Sequence, residues 1–409
     1  MRSLSCRISR SLRGWGSSVR RGAWSPRTSR SLDCVLVRTS MTAVSLLSVT
    51  SVTCRLRNCV RACLRAVGAV ATPTIERMKL SAATRRLLAD TGARIPVVKG
   101  PMYPGSNPEL VAAVSEAGGF GVVQPISLTT LYGHDFRAGL RLIKSLTSRP
   151  FGVNFTIIDN KKYKKQMEEW MEISIDEGVR WFLTSLGKPD KIVRYAEQHG
   201  VKVYHDVHTP AVARKVADAG VDGLNMLNSS MGGQTGNRTA EAFKEELEAG
   251  GFGELPMLQA GGVGDAAGLQ RCLDMGYAGA QVGTRFLATH ECKVSDAYKR
   301  AIVNATSEDI VWTNKLAGTD SSVIRTAQVE EGGLRVGPIT SWLLRNPYTK
   351  LLTRTYMLQN AIEQYKKAAF DDNYELWQAG KGVDQIDAVE SCAEVLARFS
   401  AVASSDEVV

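Results

Sequence analysis

Acid is almost absent from the first 70 residues. They hold one acidic side chain, Asp33, and no lysine, against 13 arginines, a net charge of +12. The rest of the 409-residue chain carries 38 basic and 40 acidic side chains, a net of −2, so the overall +10 belongs to this leader alone. The remainder lacks the basic footprint of a nucleic-acid-binding protein, and no nucleic-acid partner is expected. Long hydrophobic runs are also missing from the leader. Its longest charge-free stretch, between Arg38 and Arg55, has 16 residues and is loaded with Ser and Thr. A membrane span needs about 20 mostly apolar residues, so none is expected. Paired cysteines are lacking too. Cys6, Cys34, Cys54, Cys59 and Cys63 fall in the leader, and Cys272, Cys292 and Cys392 lie far apart with no CxxC spacing. That argues against a disulfide framework and a zinc site, and no metal is expected.

What is present at the start, Arg and Ser without acid, matches an organelle transit peptide over residues 1–78. A mitochondrion or another organelle is the expected destination. The duller reading is a plain disordered extension on a cytoplasmic protein. The 44% hydrophobic and 22% charged content describes an ordinary globular protein of two or three domains, or one barrel with an extra lobe.

From Lys79 onward, short β-branched runs alternate with amphipathic stretches. Strands are predicted at residues 94–98, 120–123, 151–155, 179–183, 201–204, 222–225, 256–259 and 280–282, the first seven each followed by a helix. Eight strand units in about 210 residues predict a (β/α)8 TIM barrel over 79–288, with an open doubly wound sheet as the alternative. Residues 289–373 break the rhythm. They predict a helix-rich lobe over the barrel mouth, anchored by Trp312, Trp342, Tyr348, Tyr356 and Tyr365. Residues 374–409 bring a Gly-rich motif and a last helix, 388–399, able to close the barrel.

A barrel's chemistry sits at the C-terminal ends of its strands. Two of those ends are glycine-rich: Ala260-Gly261-Gly262-Val263-Gly264-Asp265 after the seventh strand and Gln281-Val282-Gly283-Thr284-Arg285 after the eighth. Glycines there let backbone N–H groups approach an anion, and the helix starts that follow add partial positive charge. Together they predict a phosphate cradle. Tight turns alone explain one such loop easily and two poorly. The Gly262, Gly264, Gly268 spacing imitates a dinucleotide fingerprint but has one residue too many and follows a late strand.

A third segment, from Asp222 to Gly236, is a long polar strand-end loop with three glycines in its last five residues, Gly232, Gly233 and Gly236. With Gly100-Pro101-Met102-Tyr103-Pro104-Gly105 and Gly152-Val153-Asn154-Phe155, it resembles the nitronate monooxygenase (2-nitropropane dioxygenase) family of FMN-dependent barrels. The resemblance covers residues 90–290 and resumes at Trp377-Gln378-Ala379-Gly380-Lys381-Gly382. It implies an FMN site in which Met102 lies against the flavin ring and Asn154 bonds its edge. Gly232 and Gly233 let the sixth loop pass close. Gly261, Gly262, Gln281, Val282, Gly283 and Thr284 hold the phosphate.

Two positions depart from the family. Where it carries a catalytic His this chain has Gln234, and where it carries a Gln this chain has Leu227. His205 and His208, at the end of the fifth strand, are candidate replacement bases, or else simple helix caps. Lys99 is a candidate cation for the N1–C2=O edge of reduced flavin, or else a rim salt bridge. The implied activity is oxidation of a small molecule, an alkyl nitronate, with O2 to a carbonyl and nitrite. With Gln234 in place of the base, neutral nitroalkanes are expected to be nearly inert. The alternative is an NAD(P)H-dependent reductase of quinones or enoyl thioesters, which needs no base to reduce a flavin. A flavin-free scaffold would have lost the cradle glycines, and they are present. The oligomeric state stays open.

Overall fold

The structure is a computed structural model that describes residues 80–316 and 318–402, so the expected leader lies outside the described residues. A helix not anticipated from the sequence, α1 (Ala82–Thr91), comes first. The Ser81 hydroxyl caps it by accepting from Thr84 N–H, and Gly92 stops it in the left-handed region. The alternation then runs β1 (Val97–Lys99), α2 (Pro108–Glu116), β2 (Phe120–Val123), α3 (Phe136–Leu146), β3 (Gly152–Thr156) and α4 (Lys161–Asp176). It continues with β4 (Trp181–Ser185), α5 (Asp190–Glu197), β5 (Lys202–Val207), α6 (Pro210–Ala217) and β6 (Gly223–Leu227). A two-residue strand, β7 (Gly233–Gln234), interrupts the sixth loop before α7 (Ala240–Ala249), β8 (Met257–Ala260), α8 (Ala266–Asp274) and β9 (Gly279–Val282).

Parallel pairing passes through β1, β2, β3, β4, β5, β6, β8 and β9, and β9 returns to β1 with Gln281 opposite Val98. The sheet is a closed (β/α)8 barrel, and an open sheet is excluded. Its strands are buried on both faces, which is why they read as near-continuous apolar runs such as Phe120-Gly121-Val122-Val123. Val98, Phe120, Val122, Trp181, Leu183, Tyr204 and Leu258 fill the interior, and Leu87 of α1 plugs its N-terminal end. Tyr204 Oη donates to Asp90 Oδ2 at 3.0 Å and fixes that plug. The opposite end is left open for the site.

Beyond β9 come α9 (Thr284–Leu287), α10 (Asp296–Asn304), β10 (Ile310–Thr313), β11 (Ser321–Ile324), α11 (Ala327–Gly332), α12 (Pro338–Arg345) and α13 (Lys350–Phe370). This lobe is not only helical. β10 and β11 pair antiparallel, and β11 also pairs with β7, Ser321 opposite Gln234, so the lobe is sewn to the sixth barrel loop. Three of the expected aromatic anchors are no anchors: Trp342, Tyr348 and Tyr356 are 62%, 91% and 66% exposed. The buried residues of α13 are Met357, Ala361, Ala368 and Ala369, mostly small side chains that allow close approach without aromatic wedges. The last helix, α14 (Cys392–Val402), packs against α8 and α2 and fills the eighth helix position of the barrel.

Among the described residues no helix is long and apolar enough to cross a membrane. Cys272, Cys292 and Cys392 are free and buried, and no His, Cys, Asp and Glu cluster among those residues is suited to a metal.

Candidate active site

Alternation decides which strand residues reach the barrel mouth, because successive side chains point to opposite faces. On β5, Tyr204 belongs to the inner core while Val203 and Val207 belong to the outer one. Asp206, two residues after Tyr204, therefore points inward. Inward positions near the same ends of the neighbouring strands are also polar, and they are joined, although Leu227 at the end of β6 is apolar. Asn154 Nδ2 donates to Ser185 Oγ (3.0 Å) and to the carbonyl of Leu183 (3.1 Å). Ser185 Oγ donates to Asp206 Oδ2 at 2.6 Å. Asn225 Nδ2 gives one hydrogen to Asp206 Oδ1 at 2.6 Å and the other to Gln281 Oε1 at 3.0 Å. The arc spans β3, β4, β5, β6 and β9. Burial pushes the Asp206 carboxyl up from 3.8 to about 6, against the pull of its Asn225 and Ser185 donors.

The arc lies under a cavity of about 290 Å³. Its other wall is backbone. Gly261 sits at φ 113°, and a Cβ there would lie 2.5 Å from both Asn228 Oδ1 and Met231 N, so only glycine fits. Among the described residues no protein acceptor takes the N–H groups of Gly262 or Gly283. The Gly-rich C-terminal motif braces this wall. Gly380 N–H donates to Thr284 Oγ1 (3.0 Å) and Lys381 N–H to the Ser230 carbonyl (2.9 Å). Gln385 accepts from Gly264 N–H (2.7 Å) and donates to the Gly262 carbonyl (3.1 Å). One expected feature is absent. At the start of α8 the Asp265 carboxylate already caps the helix by accepting from Gly268 N–H, so an anion there would meet a negative side chain. After β9 the helix has only four residues. The N–H groups left for an anion are therefore those of the loops.

Met102, Asn154, Gly232, Gly233, Gly261, Gly262, Gln281, Gly283, Thr284 and Gln234 all line this one cavity. Four expected residues do not. The Val282 side chain packs in the outer core, and its carbonyl accepts from Gly100 N–H. Lys99 is 0% exposed, with Nζ donating to Ser106 Oγ (2.9 Å) and the Val122 carbonyl (3.1 Å). It follows the inward Val98 and so faces the helix layer. Burial pulls its pKa down to about 7. His205 is buried with Nδ1 on Thr184 Oγ1 at 2.8 Å, and burial pulls it down to about 4. His205 and His208 both line a second cavity instead.

That second cavity, about 480 Å³, lies between the β5–β6 ends and the lobe residues Trp312 and Asp320. It shares Ser185, Leu186, Asp206, Leu227 and Gln234 with the first. Asp206 and Gln234 therefore form a wall common to both. Sequence reasoning missed Ser185, Asn225 and the inward aim of Asp206. Counting by twos from the apolar inner column was the available signal.

Residues 85–401 match the family model described as nitronate monooxygenase. A dehydrogenase of (3aS,4S,5R,7aS)-5-hydroxy-7a-methyl-1-oxo-octahydro-1H-indene-4-carboxyl-CoA from Mycobacterium tuberculosis is 31% identical over 241 residues. That stretch covers 59% of this chain and 66% of the relative, just under two thirds of its length. A probable nitronate monooxygenase from Staphylococcus saprophyticus is 24% identical over 318 residues, covering 68% of this chain and 88% of that one. Among solved structures, FabK from Thermotoga maritima superposes with a TM-score of 0.64 at 23% identity. The superposition covers 78% of this chain and 95% of FabK, a likeness of fold.

Proposed function

The chain belongs to the nitronate monooxygenase family and is a flavin-dependent oxidoreductase; we propose that its flavin is FMN and that it oxidises alkyl nitronates with O2. The observation that carries this reading is one cavity with a backbone cradle on one wall and a polar side-chain arc on the other. The residues fit the cofactor. N–H groups of Gly262 and Gly283 are available to a phosphate, with Thr284 beside them, and Tyr103 Oη in the cavity lining is buried without a partner among the described residues. When bound, FMN supplies the electron acceptor for nitronate oxidation, with O2 as final oxidant and a carbonyl compound plus nitrite as products.

The chain's own residues bind and orient. Met102 offers an apolar face and Asn154 an amide from the middle of β3. Gln234, held by the pairing of β7 with β11, offers an uncharged amide N–H to a nitronate oxygen. Tyr298 and Tyr365 from the lobe contribute aromatic side chains to the cavity lining. The second reading, an NAD(P)H-dependent quinone or enoyl reductase, draws support from the carboxyl-CoA dehydrogenase relative and from the room in the second cavity. Aerobic incubation of the flavin-loaded protein with propyl nitronate tests the first reading. Nitrite release in step with O2 consumption is expected. No nitrite, alongside rapid NAD(P)H oxidation with a quinone or enoyl thioester, would replace it with the second.

A further inference from the structure

We infer that Asp206 is the residue that takes the α-proton from a neutral nitroalkane seated at the wall between the two cavities. The inference rests on the proposed nitronate chemistry and adds the step that makes the nitronate, so it replaces the expectation from Gln234 that neutral nitroalkanes are nearly inert. The α-C–H bond breaks, an O–H bond forms on Asp206, and the bonding electron pair stays on the substrate, delocalised onto the nitro oxygens. No electron leaves the substrate, so no oxidant is needed, and the proton afterwards returns to solvent.

Position comes first. Asp206 is common to both cavities, so a substrate in the larger one presents its reacting carbon to Asp206 beside the proposed flavin. Ser185 holds Oδ2 and Asn225 holds Oδ1, each at 2.6 Å, one donor per oxygen. A carboxylate oxygen accepts more than one hydrogen bond, so each keeps a lone pair for a proton. The two donors fix the carboxylate's plane without neutralising it.

Elimination comes second. The other titratable side chains lining the first cavity stay in one charge state at neutral pH. Tyr103 is pushed up to about 12 by burial, and Tyr298 and Tyr365 are pushed higher. Arg285 is buried against Glu390 and the carbonyls of Ala288 and Ala388. Around Asp206, β4 and β6 contribute only the neutral Ser185 and Asn225, and the sixth loop only Gln234. The charged or titratable groups facing it from the second cavity are His205, His208 and Asp320, with Arg238 beside His208. None of these charges is among the causes of the Asp206 shift; burial and its two donors are. A carboxyl that titrates near 6 is ionised at neutral pH and is a stronger base than an ordinary one.

The test is anaerobic exchange of the α-hydrogen of 1-nitropropane in D2O by the flavin-loaded enzyme, followed by NMR, which requires no redox step. The parent is expected to catalyse exchange with a rate that rises through pH 6 and then levels. Asp206→Asn is expected to lower it by about 10²–10⁴-fold, the usual worth of a positioned base. It should lower the nitroalkane-to-propyl-nitronate ratio of kcat/KM by a similar factor. Asp206→Glu, which keeps a carboxylate, should restore part of the exchange. Flavin content shows that each variant is folded. Parental exchange in a flavin-loaded Asp206→Asn protein, or loss only in His205→Ala or His208→Ala, overturns the assignment. Asp206-dependent exchange without nitrite from nitronate would sustain it while sinking the proposed oxidation. Nitrite from nitronate with no Asp206-dependent exchange would do the reverse.

Discussion

The β8–β9 rim of the barrel mouth is shaped by backbone, and the β3–β6 rim by side chains. On the first, Gly261 turns through φ 113° and leaves no room for a Cβ, and Gln385 and Gly380 brace the loops from behind. On the second, Asn154, Ser185, Asp206 and Asn225 pass hydrogen bonds from strand to strand. The backbone rim suits a ligand whose shape does not vary, such as a phosphate. The side-chain rim suits the handling of protons, because one residue changed there alters a proton's fate without altering the fold. Gln234, which the resemblance sets at the family's His position, lines both cavities beside Asp206.

The largest expected effect breaks the backbone rim. A Cβ on Gly283 meets only Met102 Sδ, at 3.3 Å, so the bulk of Gly283→Val enters the cavity. That variant should fold and purify colourless, and Gly261→Val, strained as well as crowded, should lose flavin too. Full flavin retention in both, read from the visible spectrum, would remove the cradle from the account. By contrast, Asp206→Asn on the side-chain rim should keep its colour.

A smaller effect sharpens the same contrast through stability. The Asp206 pKa is raised from 3.8 to about 6, so between those values the folded chain holds a proton that the unfolded chain has released. Stability therefore falls as pH rises through that window, and the cost is complete above it. Asn cannot ionise. The Tm of Asp206→Asn minus that of the parent should rise between pH 4 and pH 7, whatever constant offset the altered hydrogen bonds add. A flat difference would mean that Asp206 titrates normally.

The two rims also differ in how legible they are in the sequence. Gly261-Gly262 and Gly283 stand out because a tight turn or a close approach admits no other residue. The barrel was legible for a related reason, as turn glycines punctuate runs buried on both faces. The side-chain rim is hidden. Asp206 looks like a neighbour of His205 until strand alternation is counted inward from Tyr204, and the same count turns Lys99 away from the mouth. The β7–β11–β10 sheet is harder still. Its strands are two to four residues long, and its register joins Gln234 to Ser321, far apart along the chain. The aromatic residues of α12 and α13 misled for a physical reason: Ala361, Ala368 and Ala369, not Trp342 or Tyr356, make the close contact.

The central claim is that the backbone rim holds a flavin which a nitronate, presented from the side-chain rim, reduces. Anaerobic mixing of the flavin-loaded protein with propyl nitronate, NADH or NADPH, followed at the flavin's visible band, tests it most directly. The account predicts prompt bleaching by the nitronate and little by either nicotinamide. Rapid bleaching by NADH or NADPH with none by the nitronate would contradict it.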